Sequence, residues 1–427
     1  MKDIERIQIG NGIALNILRT QRFKTNVFTI GFQQELNREK ASLNALLCRV
    51  LLQGSEKYPD MEALGNRLAD LYGASLNPYN VKRGDIQEFG ISASFIANKF
   101  ALKNENVLSD TVDTMLEVLM NPLLIDGAFK NEFCETEKQN QISFIKAEID
   151  NKVSYARNRC IELMCKDEVY GISEKGEIDT VRAIKPQELY KQYETLLEGA
   201  NIEMYYVGSD DMSAVVDKLK TRFLMIERNV TAPLPRTALY VGGVLKEHVE
   251  SMDVNQGKLT LGFRTGISRS DHKYPALTLM NSIFGLTPTS KLFLNVREKL
   301  SLCYYCRSDV IAQKGILLVS SGIETENKER ALAEILLQLD NIKKGDVTEN
   351  EIEVARKALI SGIRSSFDNP AAMIHWYANE IISGTDSDPE DFIESLIQVK
   401  KEEVIRAAGD VMLDTVFFLK GSGKENS

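Results

Sequence analysis

The chain has 427 residues, more than one ordinary core accommodates, so two domains are expected. Its 43% hydrophobic and 26% charged residues are a globular balance that excludes a disordered chain. The net charge of −9 argues against nonspecific nucleic-acid binding, which needs a basic surface, and is compatible with basic peptides as ligands.

From the start of the chain, residues 6–9, the Gly10-Asn11-Gly12 turn signal and residues 13–17 predict a hairpin that feeds a strand at 26–32. An apolar helix follows over 41–53, stopped by Gly54, and a second over 60–72, stopped by Gly73. Residues 74–97 read as a strand pair turning at Lys82-Arg83-Gly84-Asp85. Helices are predicted at about 106–120, at 126–150 and on to about 168, with a break at Asp150-Asn151. The half ends with a helix opened by Pro186, a strand at 202–208 and a helix at 211–221.

The second half repeats this order, the strongest structural signal in the sequence. Phe28-Thr29-Ile30-Gly31-Phe32 returns as Leu259-Thr260-Leu261-Gly262-Phe263, and the helix at 41–53 returns at 275–284. Asn131-Glu132 through Asp150-Asn151 returns as Asn350-Glu351 through Asp368-Asn369, and Met204-Tyr205-Tyr206-Val207-Gly208 as Phe417-Phe418-Leu419-Lys420-Gly421. Residues 229–236 hold two prolines and no periodicity, and read as a linker. The prediction is an α+β chain of two tandem homologous domains, 1–228 and 239–427, joined by a linker at 229–238. Each is a mixed sheet with helices on one face, an α/β sandwich.

No apolar run reaches the roughly 18 residues of a membrane helix, and Met1-Lys2-Asp3-Ile4-Glu5-Arg6 does not open a signal peptide. Of the six cysteines, only Cys303-Tyr304-Tyr305-Cys306 has metal-ligand spacing, and no second Cys or His pair accompanies it. On a predicted strand it reads as buried thiols in a reducing compartment, so the protein is expected to be soluble and cytoplasmic. Gly242-Gly243 is not followed by the Gly-Lys-Ser/Thr of a phosphate loop, and no Gly-x-Ser-x-Gly elbow is present.

Chemistry concentrates in residues 292–305. Leu292, Val296 and Leu300 recur at helical spacing, Arg297, Glu298 and Lys299 fill the other side, and a turn leads into a strand. A guanidinium at a helix end and a phenol at a strand start, Arg297 and Tyr304, can converge on one point and hold a peptide carbonyl or the charge that develops on it. Spacing alone favours a surface arginine and a core tyrosine that never meet. The stretch nevertheless resembles the Arg…Tyr signature in the C-terminal half of insulinase/pitrilysin-type zinc peptidases, the family that includes the mitochondrial processing peptidase. That signature runs Leu-Phe-x-x-Val-Arg-Glu-Lys-x-Gly-Leu-x-Tyr. Leu292, Phe293, Val296, Arg297, Glu298, Lys299, Leu302 and Tyr304 match it. Ser301 replaces the Gly, and the glycine-rich lead-in is thinned to Phe284-Gly285-Leu286-Thr287-Pro288. Within and just after that lead-in, Gly285 and Ser290 are expected to bind substrate. The resemblance covers both halves and implies two domains clasped like a clam around a substrate chamber.

Active members of that family carry His-x-x-Glu-His on the first long helix, two zinc ligands on one face with a glutamate that activates water. Counting back from Gly54 of Leu52-Gln53-Gly54-Ser55 puts Ala45, Cys48 and Arg49 at those positions. Alanine has no ligand atom, arginine is a permanent cation, and one thiol is no site. The rest of the half fits the family, including Asn121-Pro122 ahead of the helix that brings the distal glutamate ligand. Anchoring that helix on Glu137-Lys138 puts Ser143 or Phe144 near the ligand position, with Glu148 close by. The three histidines, His248, His272 and His375, all lie in the second half without paired ligand spacing.

Some bacterial relatives are heterodimers in which one subunit keeps His-x-x-Glu-His and the other only Arg…Tyr. The resemblance therefore implies a non-catalytic subunit of such a zinc peptidase, inactive alone. It would hold no cofactor itself, with zinc in an HxxEH-bearing paralogous partner, and its Arg297 and Tyr304 would complete the partner's site on a peptide substrate. The alternatives are an inert scaffold paralogue and a stand-alone peptide-binding protein. Pro78 in the 74–78 edge segment removes a backbone donor, which points to the partner's edge as the one that holds the peptide.

Overall fold

The computed structural model describes residues 4–102, 105–230, 234, 237–240 and 242–421. The readings of residues 1–3 and of half of the linker at 229–238 fall outside them. In chain order the elements are β1 (Glu5–Gly10), β2 (Ile13–Arg19), β3 (Thr25–Glu35), α1 (Arg38–Leu51), α2 (Met61–Asp70), β4 (Ser75–Arg83), β5 (Ile86–Ile96) and α3 (Val107–Met120). A short hairpin, β6 (Leu124–Ile125) and β7 (Ala128–Phe129), leads to α4 (Asn131–Asp150), α5 (Lys152–Met164), α6 (Ile178–Ala183), α7 (Pro186–Gly199), β8 (Asn201–Gly208) and α8 (Ser213–Leu224). The second half has β9 (Lys246–Met252), β10 (Gly257–Arg264), α9 (Tyr274–Asn281), β11 (Cys303–Ile311), β12 (Ile316–Ile323) and α10 (Lys328–Lys343). It closes with α11 (Glu349–Ser366), α12 (Pro370–Ser383), α13 (Pro389–Gln398), α14 (Lys401–Gly409) and β13 (Met412–Gly421). The fold is α+β with mixed sheets.

The repeat is visible in the strand pairing. Among the described residues the first sheet runs β1-β2-β8-β3-β5-β4 and the second β9-β13-β10-β12-β11. In each, the strand that opens the repeat is central and antiparallel to both neighbours: β3 between β8 and β5, β10 between β13 and β12. The last strand of each half, β8 or β13, pairs in parallel with β2 or β9. Alternation along β3 sends Phe28, Ile30 and Phe32 into one core with Leu46, Leu47 and Leu51 of α1 and Leu116 of α3. No helix among the described residues is long and apolar enough to cross a membrane.

The two compact units are not contiguous in sequence. One comprises residues 1–146, 172–236 and 367–379; the other comprises 147–171, 237–366 and 380–427. In each half the segment that follows the long helix thus joins the other half's sheet, so a cut at 229–238 does not separate the units. Helix α5 shows why. Ala156, Cys160, Ile161 and Met164 form its apolar stripe, which meets Ile316, Leu318, Phe417 and Leu419 on the second sheet. Gly262 permits the approach, because a Cβ there would lie 2.7 Å from Met164 Sδ. This adds a helix to the sheet face opposite α9 and α10. In the first unit, Arg83 of β4 donates to Asn379 Oδ1 of the corresponding segment at 3.1 Å and lies 3.1 Å from His375 Nδ1.

Candidate functional site

Helix α1 begins at Asn37, whose side chain accepts the amide hydrogens of Glu39 and Lys40. Three turns on, its buried face carries Ala45 and Cys48. Burial alone pushes the Cys48 thiol up to about 12, so it stays protonated and is a poor metal ligand. Arg49 points toward α4. Its guanidinium lies 3.8 Å from Glu137 Oε2 and 5.6 Å from the centre of the Phe144 ring. Glu137 is buried and fully engaged: Gln53 Nε2 donates to it at 2.6 Å and Asn140 Nδ2 at 3.0 Å. A zinc ion does not fit this donor set. One position has no donor, one holds a protonated thiol, and the third holds a cation already paired with the nearby carboxylate. Among the described residues no three His, Cys, Asp or Glu side chains gather to hold a metal. The sequence reading uses Glu137 as an anchor of α4 but does not pair it with Arg49. The register expected across α4 does bring Phe144 opposite Arg49, as a ring beneath the guanidinium.

The stretch at 282–305 is built differently. The chain leaves α9 through wide π-helical turns at Ser282–Leu286, and a second such helix spans Leu292–Lys299. Ser290 is buried and its hydroxyl accepts the Phe293 amide hydrogen at 3.4 Å, which starts that helix. Gly285 is buried too. A Cβ there would stand 2.6 Å from Ser308 Oγ and 2.7 Å from Leu292 Cδ1, so its bareness lets the helix close on β11. Both residues thus occupy packing positions. Leu292 and Val296 are buried as the periodicity predicts, while Leu300 is exposed. The Leu302 amide reaches back to the Val296 carbonyl at 3.1 Å across Ser301, which sits at φ +50, the left-handed conformation that the family's Gly would favour.

β11 then enters the sheet as an edge strand with a bulge: Cys303 opposes Ile323 and Tyr305 opposes Gly322, leaving Tyr304 unpaired. Tyr304 is 75% exposed, and no hydrogen bond reaches its hydroxyl among the described residues. The Arg297 side chain is 38% exposed, with Nε 3.6 Å from Glu298 and the guanidinium 4.6 Å from the Phe293 ring centre. No hydrogen bond joins Arg297 to Tyr304 among the described residues. Arg297 does act on Cys303, whose thiol is held below its ordinary value by a hydrogen bond with Cys306 and, more weakly, by Ser321 and the Arg297 charge, against the opposing effect of burial.

The other sheet edge, β4, includes Pro78 opposite Ile91. A proline on an outer strand takes one donor from the free edge. The histidines are dispersed: His248 on β9, His272 exposed beside Asp271 at 3.2 Å, and His375 by Arg83.

Comparison with known proteins agrees with this geometry. A family model described as "Peptidase M16 inactive domain" matches residues 183–359. The chain is 31% identical over 411 residues to the "Probable inactive metalloprotease YmfF" of Bacillus subtilis, covering 96% of each chain. Its fold is similar to that of a conserved protein from Enterococcus faecalis, at TM-score 0.91 and 29% identity with 100% of both chains covered. It is also similar in fold to an M16 inactive-domain protein from Pseudomonas fluorescens, at TM-score 0.78 and 15% identity, again with 100% of both chains covered.

Proposed function

This chain belongs to the M16 peptidase family, the insulinase/pitrilysin type, and from that premise we propose that it is the non-catalytic subunit of a heterodimeric zinc peptidase. In this reading its own first helix binds no metal. Arg297 and Tyr304 bind a peptide substrate in the active site of an HxxEH-bearing paralogue, which brings the zinc and the attacking water. The observation that carries the reading is the uncommitted state of those two donors. Among the described residues Tyr304 presents a phenol without a hydrogen-bond partner, and Arg297 is partly exposed with only its sequence neighbour Glu298 as counter-ion. A guanidinium and a phenol directed at a scissile carbonyl donate to the oxygen on which charge develops, and donors of this kind are each worth about 10²–10³ in rate. Pro78 on β4 favours the partner's sheet edge, rather than this chain's, as the strand on which the peptide is held. Free thiols at all six cysteines are compatible with a cytoplasmic location.

The experiment is to purify the chain from its own cells with whatever co-elutes, determine the native mass, and assay peptide hydrolysis. Arg297→Ala is expected to lower kcat/KM of the complex about 10²-fold or more without dissociating it. Tyr304→Phe is expected to act in the same direction. Unchanged turnover in both variants, or the absence of a peptidase partner, would shift the role to an inert scaffold or a stand-alone peptide binder.

A further inference from the structure

Cys303 and Cys306 bracket the two tyrosines at the start of β11 and have no part in the function proposed above. In an unbroken strand, residues three apart point to opposite faces. The bulge between Cys303 and Tyr305 removes that mismatch: Cys303 opposes Ile323 and Cys306 opposes Ser321, two residues that share a face of β12. Both cysteines are thereby turned to one face of β11, and each acts on the other's acidity. Cys303 is half-buried, Cys306 is buried, and neither is in a disulfide.

We propose that Cys303 and Cys306 are a redox-active dithiol, with Cys303 the attacking thiol, Cys306 the resolving thiol, and a low-molecular-weight disulfide as oxidant. The Cys303 thiolate attacks one sulfur of that disulfide. A bond forms between Cys303 Sγ and that sulfur, the original S–S bond breaks, and the first thiolate departs and takes up a proton. Cys306 then loses its proton as its Sγ attacks Cys303 Sγ, and the second thiolate leaves. Two protein thiols are oxidised to one disulfide while the small disulfide is reduced to two thiols. Asymmetry within the pair suits these roles. Cys303 lies below its ordinary value, through Cys306 first and then Ser321 and Arg297, whereas Cys306 is raised well above its own by Cys303 and by burial. Among the described residues β11 has a neighbour on one side only, which leaves it room for the small backbone movement that a disulfide bond requires. Elsewhere burial pushes Cys48 up to about 12 and Cys134 up to about 11, which makes them internal controls. Closing the bond would re-set the bulge that presents Tyr304. That consequence, though not the chemistry, rests on the proposed substrate role.

The test treats the folded full-length chain with oxidised glutathione, blocks remaining thiols by alkylation, and reads intact and peptide masses. The wild type is expected to lose two hydrogens within the peptide that holds both cysteines. Cys306→Ser is expected to accumulate a glutathione adduct at Cys303, and Cys303→Ser to leave Cys306 unmodified. A stable adduct at Cys303 in the wild type, or modification of Cys48 or Cys134 ahead of Cys303, would overturn the proposal. The readout contains no hydrolysis, so it stands or falls independently of the peptidase reading.

Discussion

On α1 the side chains at the zinc-motif positions are turned inward and satisfied, whereas on the 292–305 stretch the reactive side chains face outward with donors to spare. Ala45 and Cys48 are buried, and Arg49 is bound to Glu137 and lies over Phe144. Tyr304 is 75% exposed, and no hydrogen bond reaches its hydroxyl among the described residues. The difference is one of electrostatics as much as of packing. A buried carboxylate such as Glu137 needs a compensating cation or several donors, and Arg49, Gln53 and Asn140 supply both. Once an arginine serves in that way the motif cannot regain a metal by a single substitution. An exposed phenol, by contrast, needs no compensating partner and costs almost nothing.

The comparison breaks most visibly if the closed region can be reopened. Cys48→Glu restores the residue type that active relatives carry there, but in a place whose only influence on the native thiol is burial. A carboxylate without a partner in that site is expected to cost about 3 kcal/mol or more, read as a lowered denaturant midpoint, with Cys48→Ala as the milder control. A Cys48→Glu protein as stable as the native chain would mean that the region is wet, and the contrast with 292–305 would vanish. The next largest effect concerns the pair itself. Glu137→Ala leaves Gln53 and Asn140 without their acceptor and Arg49 without its counter-ion, and is expected to destabilise by about 2 kcal/mol. Glu137→Gln keeps an acceptor for the two amides and should lose about half as much. Equal losses would show that charge, rather than hydrogen bonding, governs the site.

Much of this was legible in the sequence because it depends on local pattern. The repeat and the strand-helix order follow from periodicity, while the placing of Ala45, Cys48 and Arg49 at the zinc-motif positions comes from the family resemblance. The Arg49–Glu137 pair was not legible, since it depends on the register of α4 against α1, two helices far apart in the sequence. The exchange of segments between the units escaped for a related reason. An amphipathic stripe such as Ala156, Cys160, Ile161 and Met164 says that one face is buried, but not which sheet buries it. Cys303 was read with Cys306 as a buried thiol on a regular strand; a bulge changes the alternation on which such a reading relies, and leaves Cys303 only half-buried.

The smallest expected effect sharpens the comparison from the open side. Ser301 holds φ +50 at the turn that carries the chain from Arg297 to Tyr304, where the family signature has Gly. A non-glycine residue in that conformation costs about 1 kcal/mol, while glycine adds freedom to the unfolded chain worth about half as much. Ser301→Gly is therefore expected to raise stability by about 0.5 kcal/mol with an unchanged denaturant slope. A loss instead of a gain would assign the Ser301 side chain an anchoring role in the turn, and the 292–305 stretch would then be as firmly self-satisfied as α1. A gain in stability would separate the two: the backbone of this turn would carry strain that its sequence could relieve, while the α1 positions are already satisfied.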